Sequence, residues 1–169
     1  AVSYTDDAAV SIKSDVGGTG AGANITFAST LGLKGDGDGD LTIDAGDNGT
    51  VTFTGAVTIG KDDLTIDDSD IAVVTAGIGG STGSVDFTTD TRTDVDGTIA
   101  LTAAGTVTLD AAAISTANIT TQAGAIDFGG AVSYTDDAAV SIKSDVGGTG
   151  AGANITFAST LGLKGDGDG

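Results

Sequence analysis

Residues 40–66 read DLTIDAGDNGTVTFTGAVTIGKDDLTI, and this stretch decides the fold. It holds four triplets in which one Thr separates two apolar residues, at 41–43, 51–53, 57–59 and 64–66. Because successive side chains of an extended strand point to opposite faces, each triplet places two apolar side chains on one face and a Thr on the other. Gly, Asn and Asp separate the triplets and favour tight turns. The stretch therefore predicts short strands, each with one buried and one solvated face.

The same pattern continues through the chain of 169 residues, which predicts an all-β protein. Further triplets of apolar, small and apolar residues lie at 25–27, 85–87, 99–101, 107–109, 126–128, 132–134 and 140–142. The chain has no Glu or Met and few Leu, Lys or Arg residues, so most strong helix formers are missing. Val, Ile, Thr, Gly and Asp remain, and these residues favour strands and turns.

An internal repeat sets the domain organisation. Residues 1–39 recur letter for letter as residues 131–169, so the period is 130 residues. Such identity indicates tandem duplication, and it predicts that residues 1–130 are one full repeat and residues 131–169 the start of the next, within a longer array. We expect no independent globular domains.

Two architectures bury strands this short. The first is a parallel β-helix, or β-solenoid, in which coils stack and the slim inward residues of one coil cover those of the next. The second is a series of tandem β-sandwich domains, whose cores usually carry larger side chains, whereas this chain has only five Phe and two Tyr. Cutting at the turn signals predicts a solenoid of about five coils per repeat, at 40–62, 63–95, 96–117, 118–137 and 138–169. The Gly-rich stretches would then be insertions at corners of the two longest coils.

The charge excludes several partners. All 24 acidic residues are Asp, against 6 Lys and Arg, and the formal net charge is −18. Nucleic acid and anionic membranes attract Lys and Arg, so we expect neither nucleic-acid binding nor membrane insertion by this segment. The first repeat carries 19 Asp and 4 Lys or Arg. If its five coils rise about 4.8 Å each, the rod holds one net negative charge per ~1.6 Å, which is close to duplex DNA and favours bound counterions.

One motif predicts a site for divalent cations. Residues 35–40 read GDGDGD, and the alternating carboxylates of Asp36, Asp38 and Asp40 resemble the start of a calcium-binding loop. The EF-hand pattern needs Gly at Leu41 and Glu at Asp47, so the match is partial. The alternative is a solvated turn. Ca²⁺ or another divalent cation is the expected cofactor. The repeat copies of Asp36 and Asp38, which are also candidate ligands, are Asp166 and Asp168. Weaker candidate ligands are Asp62, Asp63, Asp67, Asp68 and Asp70.

Nothing in the sequence predicts catalysis. The chain lacks His and Cys, and its single Arg92 has no evident companion for holding a sugar, so we expect no enzyme activity. Four Asn-x-Thr motifs precede strands, and Asn favours turn conformations, so a structural role is preferred to glycosylation for Asn24, Asn48, Asn118 and Asn154.

The pattern of short strands and turns in the chain resembles that of a known group of proteins. Residues 40–66 and the run GTIALTAAGTVTLDA at 97–111 are similar to the repeats of giant bacterial surface proteins of the filamentous-haemagglutinin and autotransporter-adhesin type. The resemblance implies a right-handed parallel β-helix, export to the bacterial cell surface, and a role in adhesion, biofilm or extracellular filaments. The resemblance identifies no binding residue in this chain.

These observations favour one function, and two alternatives stay open. The first is a structural repeat of a giant extracellular fibre or adhesin stalk, a stiff acidic spacer whose charge divalent cations screen. Its partners would be adjacent repeats of the same chain, with end-to-end or lateral self-association. The second is a tandem sandwich adhesin module made rigid by Ca²⁺, and the third is a β-helix enzyme that acts on polysaccharides.

Overall fold

The triplets form strands in a computed structural model that describes residues 1–3, 8–15, 21–33, 35–134, 139–146 and 152–163. Across these residues every strand pairing is parallel, and no helix occurs. The same residues accordingly provide no apolar helix of membrane-spanning length. When each strand pairs in parallel with the equivalent strand of the next coil along the chain, the fold is a β-solenoid.

Three faces run along the solenoid, and each coil contributes one strand to each face. Face A consists of β2 (Val10–Lys13), β5 (Leu41–Asp44), the first part of β8 (Leu64–Val74), the first part of β10 (Val85–Val95), β12 (Val107–Asp110), β15 (Ile126–Phe128) and β18 (Ile155–Phe157). Face B consists of β3 (Ile25–Phe27), β6 (Gly46–Phe53), the second parts of β8 and β10, β13 (Ala113–Thr116), β16 (Ala131–Tyr134) and β19 (Leu161–Leu163). Face C consists of β1 (Val2–Ser3), β4 (Leu31–Gly32), β7 (Val57–Gly60), β9 (Ile78–Gly80), β11 (Ile99–Leu101), β14 (Ile119–Thr120) and β17 (Ile142–Lys143).

The order of the strands gives the number of coils in one repeat. Among the described residues, fifteen strands run from β1 to β15, and β8 and β10 each cross two faces, which makes seventeen face positions. Three positions complete a coil, so the 130-residue repeat makes 5⅔ coils. The prediction of a β-solenoid with about five coils per repeat is confirmed, and the parallel pairing excludes the sandwich.

Inward ladders form the core because apolar residues of successive coils are in register. On face A, Leu41, Leu64, Val85, Val107 and Ile126 follow one another as direct neighbours, and all of them are buried. The Thr or Asp at the middle of each triplet points outward, as the alternation predicts. Burying each inward apolar side chain contributes about 1.5–3 kcal/mol, and the burial is complete only when a neighbouring coil covers that side chain.

Phenyl rings stack from coil to coil inside the core. Phe27 and Phe53 are neighbours on face B with ring centroids 5.1 Å apart, and the rings are nearly parallel. Phe128 and Phe157 stack in the same way on face A at 4.8 Å. Stacked pairs add to the stability that burial provides, so each pair fixes the register of two coils.

The predicted boundaries fail at residues 63–95. This stretch was expected to be one long coil with an insertion, but Leu64 pairs with Val85, and Ala72 pairs with Thr93. The stretch therefore contributes strands to two successive coils, and the paired residues of these coils are 21 positions apart in the sequence. The reason is that β8 and β10 pass from face A to face B as continuous strands, and their corners carry no Gly to signal a turn.

Glycines let the corner before face A stack tightly. A Cβ atom on Gly83 would lie 2.1 Å from the Asp62 carbonyl oxygen, and one on Gly105 would lie 2.1 Å from the Gly83 carbonyl oxygen. A Cβ atom on Gly124 would lie 1.8 Å from the Gly105 carbonyl oxygen. Four successive coils thus approach so closely that only the hydrogen atom of a glycine fits between them, and we call Gly83, Gly105 and Gly124 the glycine ladder.

Candidate functional site

The GDGDGD loop lies at the corner where the chain passes from face C to face A. Asp36 and Asp38 are exposed, and Asp40 is half-buried. The Asp40 Oδ1 atom accepts a hydrogen bond of 2.9 Å from the backbone N–H of Asp63 in the next coil. This carboxylate therefore already joins two coils.

The backbone of the loop surrounds a carboxylate of the chain itself. Asp62 is fully buried, and its Oδ2 atom accepts a hydrogen bond of 2.6 Å from the Gly35 N–H. Its Oδ1 atom accepts bonds from the Gly37 N–H at 2.7 Å and the Gly39 N–H at 3.4 Å. Gly35 and Gly37 have φ values of 80° and 107°, which glycine adopts without strain.

This geometry explains the alternation of Gly and Asp in the motif. Successive N–H groups that converge on one point form a nest for an anion, and here the anion is the Asp62 carboxylate. The amides of Gly35, Gly37 and Gly39 turn inward, while the side chains of Asp36 and Asp38 are exposed to solvent. This arrangement holds two successive coils together at a corner.

The structure does not gather the predicted ligands into a metal site. Across the residues whose positions are described, no three acidic side chains converge in a way that could hold an ion. Asp166 and Asp168 lie outside the described residues. Calcium binding at Asp36, Asp38 and Asp40 stays a prediction, and Asp62, a weaker candidate, has both carboxylate oxygens bonded to backbone amides.

A ladder of side chains links the coils just before face A, and it was not predicted from the sequence. Asp63 Oδ1 accepts from the Ser84 N–H at 2.7 Å, and Ser84 Oγ accepts from the Thr106 N–H at 3.2 Å. Each acceptor precedes a strand by one residue. A short polar residue at that position, repeated every 21 to 23 residues, is the signal that would have predicted the ladder.

Two of the Asn-x-Thr asparagines have the structural role that was predicted for them. Asn24 Oδ1 accepts a hydrogen bond of 3.0 Å from the Thr50 N–H, and Asn118 Oδ1 accepts one of 2.7 Å from the Ser141 N–H. In both cases the side chain bridges one coil to the following coil. Asparagine therefore performs before faces B and C the function that Asp40 and Asp63 perform before face A.

Carboxylates concentrate at the corner between faces A and B. We call this corner the acidic edge, and its members are Asp44, Asp47, Asp67, Asp68 and Asp90. Reduced hydration and repulsion by the other four carboxylates raise the pKa of Asp68 above its ordinary value. Asp68 also has a φ of 52°, a left-handed conformation that is uncommon outside glycine.

Two cations pair with individual carboxylates near this corner. Lys13 Nζ lies 3.0 Å from the Asp44 Oδ2 atom, and the hydrogen bond and charge of Asp44 raise the pKa of Lys13. Arg92 Nη2 lies 2.9 Å from Asp94 Oδ2 on the outer surface of face B. Arg92 borders a depression of about 350 Å³, which Asp96, Ile114 and Ser133 also line. We call this the Arg92 depression.

Replacing Asp68 with Asn is expected to raise the thermal midpoint, and to raise it more at pH 7 than near pH 4. A folded-state pKa above the ordinary 3.8 means that the folded chain binds the proton more tightly than the unfolded chain. Stability is therefore lost as the pH rises from 3.8 through the folded pKa, and the neutral Asn escapes this loss. Calorimetry of both proteins at the two pH values measures the difference in thermal midpoint.

The control for Asp68→Asn is Asp38→Asn, which removes the same charge from an exposed position of the GDGDGD loop. A gain that is equal at the two pH values would mean that Asn merely suits the left-handed backbone. In that case repulsion within the acidic edge would not be the cause.

Comparison of the chain with protein-family models, with curated proteins and with solved structures finds no match. The solenoid, its charge and its repeat are therefore the features of the chain that bear on its function.

Proposed function

We propose that the chain is a structural repeat segment of a giant extracellular fibre or adhesin stalk on the bacterial cell surface. It acts as a stiff acidic spacer, and Ca²⁺ or other divalent cations screen its charge. The observation that carries this proposal is the continuity of the three faces. Strands pair from coil to coil along all three faces, from β1 and β2 to β18 and β19, so the described residues contain no domain boundary at which the rod would bend.

The two copies of the 39-residue segment support a longer array. Leu31 is 2% exposed because Val57 of the next coil covers it, whereas the identical Leu161 is 48% exposed. Both residues pair with the preceding coil in the same register, to Val2 and Val132. The second copy would therefore be buried by a coil like that of residues 41–60, which is what a tandem array supplies.

The charge supports the role of divalent cations. One repeat carries a net charge of −15, from 19 Asp and 4 Lys or Arg. At about 4.8 Å per coil its 5⅔ coils span about 27 Å, which leaves one net negative charge per ~1.8 Å. A rod with that density attracts counterions along its whole length, so screening does not require a dedicated site. Carboxylate oxygens are ligands that Ca²⁺ prefers.

Arrays of two, four and six repeats test the proposal. We expect thin unbranched rods in electron micrographs, with each repeat adding about 27 Å. The thermal midpoint is expected to rise with repeat number, since every added interface buries another inward ladder. Separate globules joined by flexible segments, or a midpoint that is independent of repeat number, would contradict the spacer.

A further inference from the structure

The two identical segments occupy different faces of the solenoid. Val2 pairs with Leu31 on face C, but their copies Val132 and Leu161 pair with each other on face B. Likewise, Phe27 lies on face B, and its copy Phe157 lies on face A. The internal register is kept while the whole segment is displaced by one face.

The strand count accounts for this displacement. Seventeen face positions separate β1 from β16, which is one position short of six complete coils. The second copy therefore begins one face earlier than the first. Face C becomes face B, face B becomes face A, and face A becomes face C.

The core permits the displacement because all three faces present a branched aliphatic residue where the second copy begins to stack. Val132 rests on Ile114 of face B, Ile142 on Ile119 of face C, and Ile155 on Ile126 of face A. Each contact joins a branched aliphatic side chain to another of similar size. At these three contacts, a change of face therefore brings no large difference in side-chain size.

We infer that each repeat turns the next by one third of a coil, so that the rod presents every surface of a repeat in three directions in turn. This inference rests on the proposed tandem array. The same surface returns to the same side only after three repeats, which contain 17 coils and span about 82 Å. This rotation is additional to any twist between successive coils.

The rotation determines which partners the surface fits. The acidic edge lies between faces A and B in one repeat, between C and A in the next, and between B and C in the third. The Arg92 depression moves from face B to face A and then to face C. A partner that contacts a single repeat can thus approach from any side. Along one face of the solenoid, the same patch recurs at intervals of about 82 Å.

Pairs of cysteines test the displacement in the 169-residue chain, which has no native Cys. Thr156 is the direct neighbour of Asp127 on face A. If the copies kept their faces, Thr156 would lie on face B and follow Ser115 instead. We expect a short bifunctional thiol reagent to join Thr156→Cys to Asp127→Cys, and to leave the pair Thr156→Cys and Ser115→Cys unjoined. Mass spectrometry of proteolytic peptides reads out the product.

A matched pair, Thr42→Cys with Thr65→Cys, consists of neighbours on face A within one repeat and is expected to react under either arrangement. Reaction between positions 156 and 115 would overturn the inference and leave the fibre proposal intact. Failure of both test pairs while the matched pair reacts would also overturn it. Reaction between positions 156 and 127, combined with beaded arrays in micrographs, would support the displacement and refute the spacer.

Discussion

Replacing Asp62 with Ala is expected to destabilise the solenoid by about 4 kcal/mol and to open the corner formed by residues 35–39. The substitution removes a fully buried carboxylate that accepts N–H groups from Gly35, Gly37 and Gly39. Gly39 is buried and Gly35 is half-buried, whereas Gly37 is exposed, so water reaches the Gly37 amide most easily. Leaving a buried donor without an acceptor costs about 1–3 kcal/mol for each group, and two of the three bonds are short.

Two measurements separate this effect from a general loss of charge. Chemical denaturation gives the free energy of unfolding, and hydrogen exchange gives the protection of the Gly35 and Gly37 amides, which should fall sharply in Asp62→Ala. Asp62→Asn keeps one carbonyl oxygen and is expected to cost about half as much. Asp38→Ala removes an exposed carboxylate from the same loop and should change little. Equal losses in Asp62→Ala and Asp38→Ala would refute the anion nest.

The strands and their stacking could be predicted from the sequence because both depend on local patterns. The alternation in residues 51–53 fixes which side chains face inward, whatever the rest of the chain does. The small number of aromatic residues favours the core of a solenoid over that of a sandwich. These facts are sufficient for the fold class, and they do not depend on where each corner lies.

The coil boundaries could not be predicted because the corners within β8 and β10 contain no Gly. At the corner of β8, Asp68 supplies the left-handed conformation that Gly supplies elsewhere, and the buried Ser69 Oγ accepts the Ala45 N–H at 2.9 Å. At the corner of β10, the hydroxyls of Thr89 and Thr93 bond to each other at 3.0 Å inside the core. The first device depends on a contact between two coils, and the second joins two residues of one strand that lie four positions apart.

The contact between Asp62 and the GDGDGD loop escaped prediction for a related reason. The motif predicted a loop whose carboxylates gather a cation, because only the residue types and spacing were visible. The structure points the backbone amides inward and brings them to a residue 23 to 27 positions later in the chain. Which way the peptide groups of a glycine-rich loop point depends on φ, which glycine leaves open.

Replacing Gly105 with Ala is expected to destabilise the solenoid by about 3 kcal/mol, and a larger loss is expected for Gly105→Val. The new Cβ atom would lie 2.1 Å from the Gly83 carbonyl oxygen and 3.1 Å from a methyl group of Leu101. The first of these neighbours is backbone, so it cannot move aside as a flexible side chain would. Relief requires the two coils to separate at this corner, which weakens the hydrogen bond from Val85 N–H to Thr106 O, now 2.9 Å.

Gly79→Ala is the matched control, since a Cβ atom at Gly79 meets nothing within 4 Å. It should leave stability unchanged or raise it by about 0.4–1 kcal/mol, because Ala restricts the unfolded chain more than Gly does. Thermal denaturation compares the two variants. Parallel losses in Gly105→Ala and Gly79→Ala would indicate a general intolerance of side chains at glycine. A loss confined to Gly105→Ala would place the cause in the glycine ladder, where the coils have no room to separate without breaking their pairing.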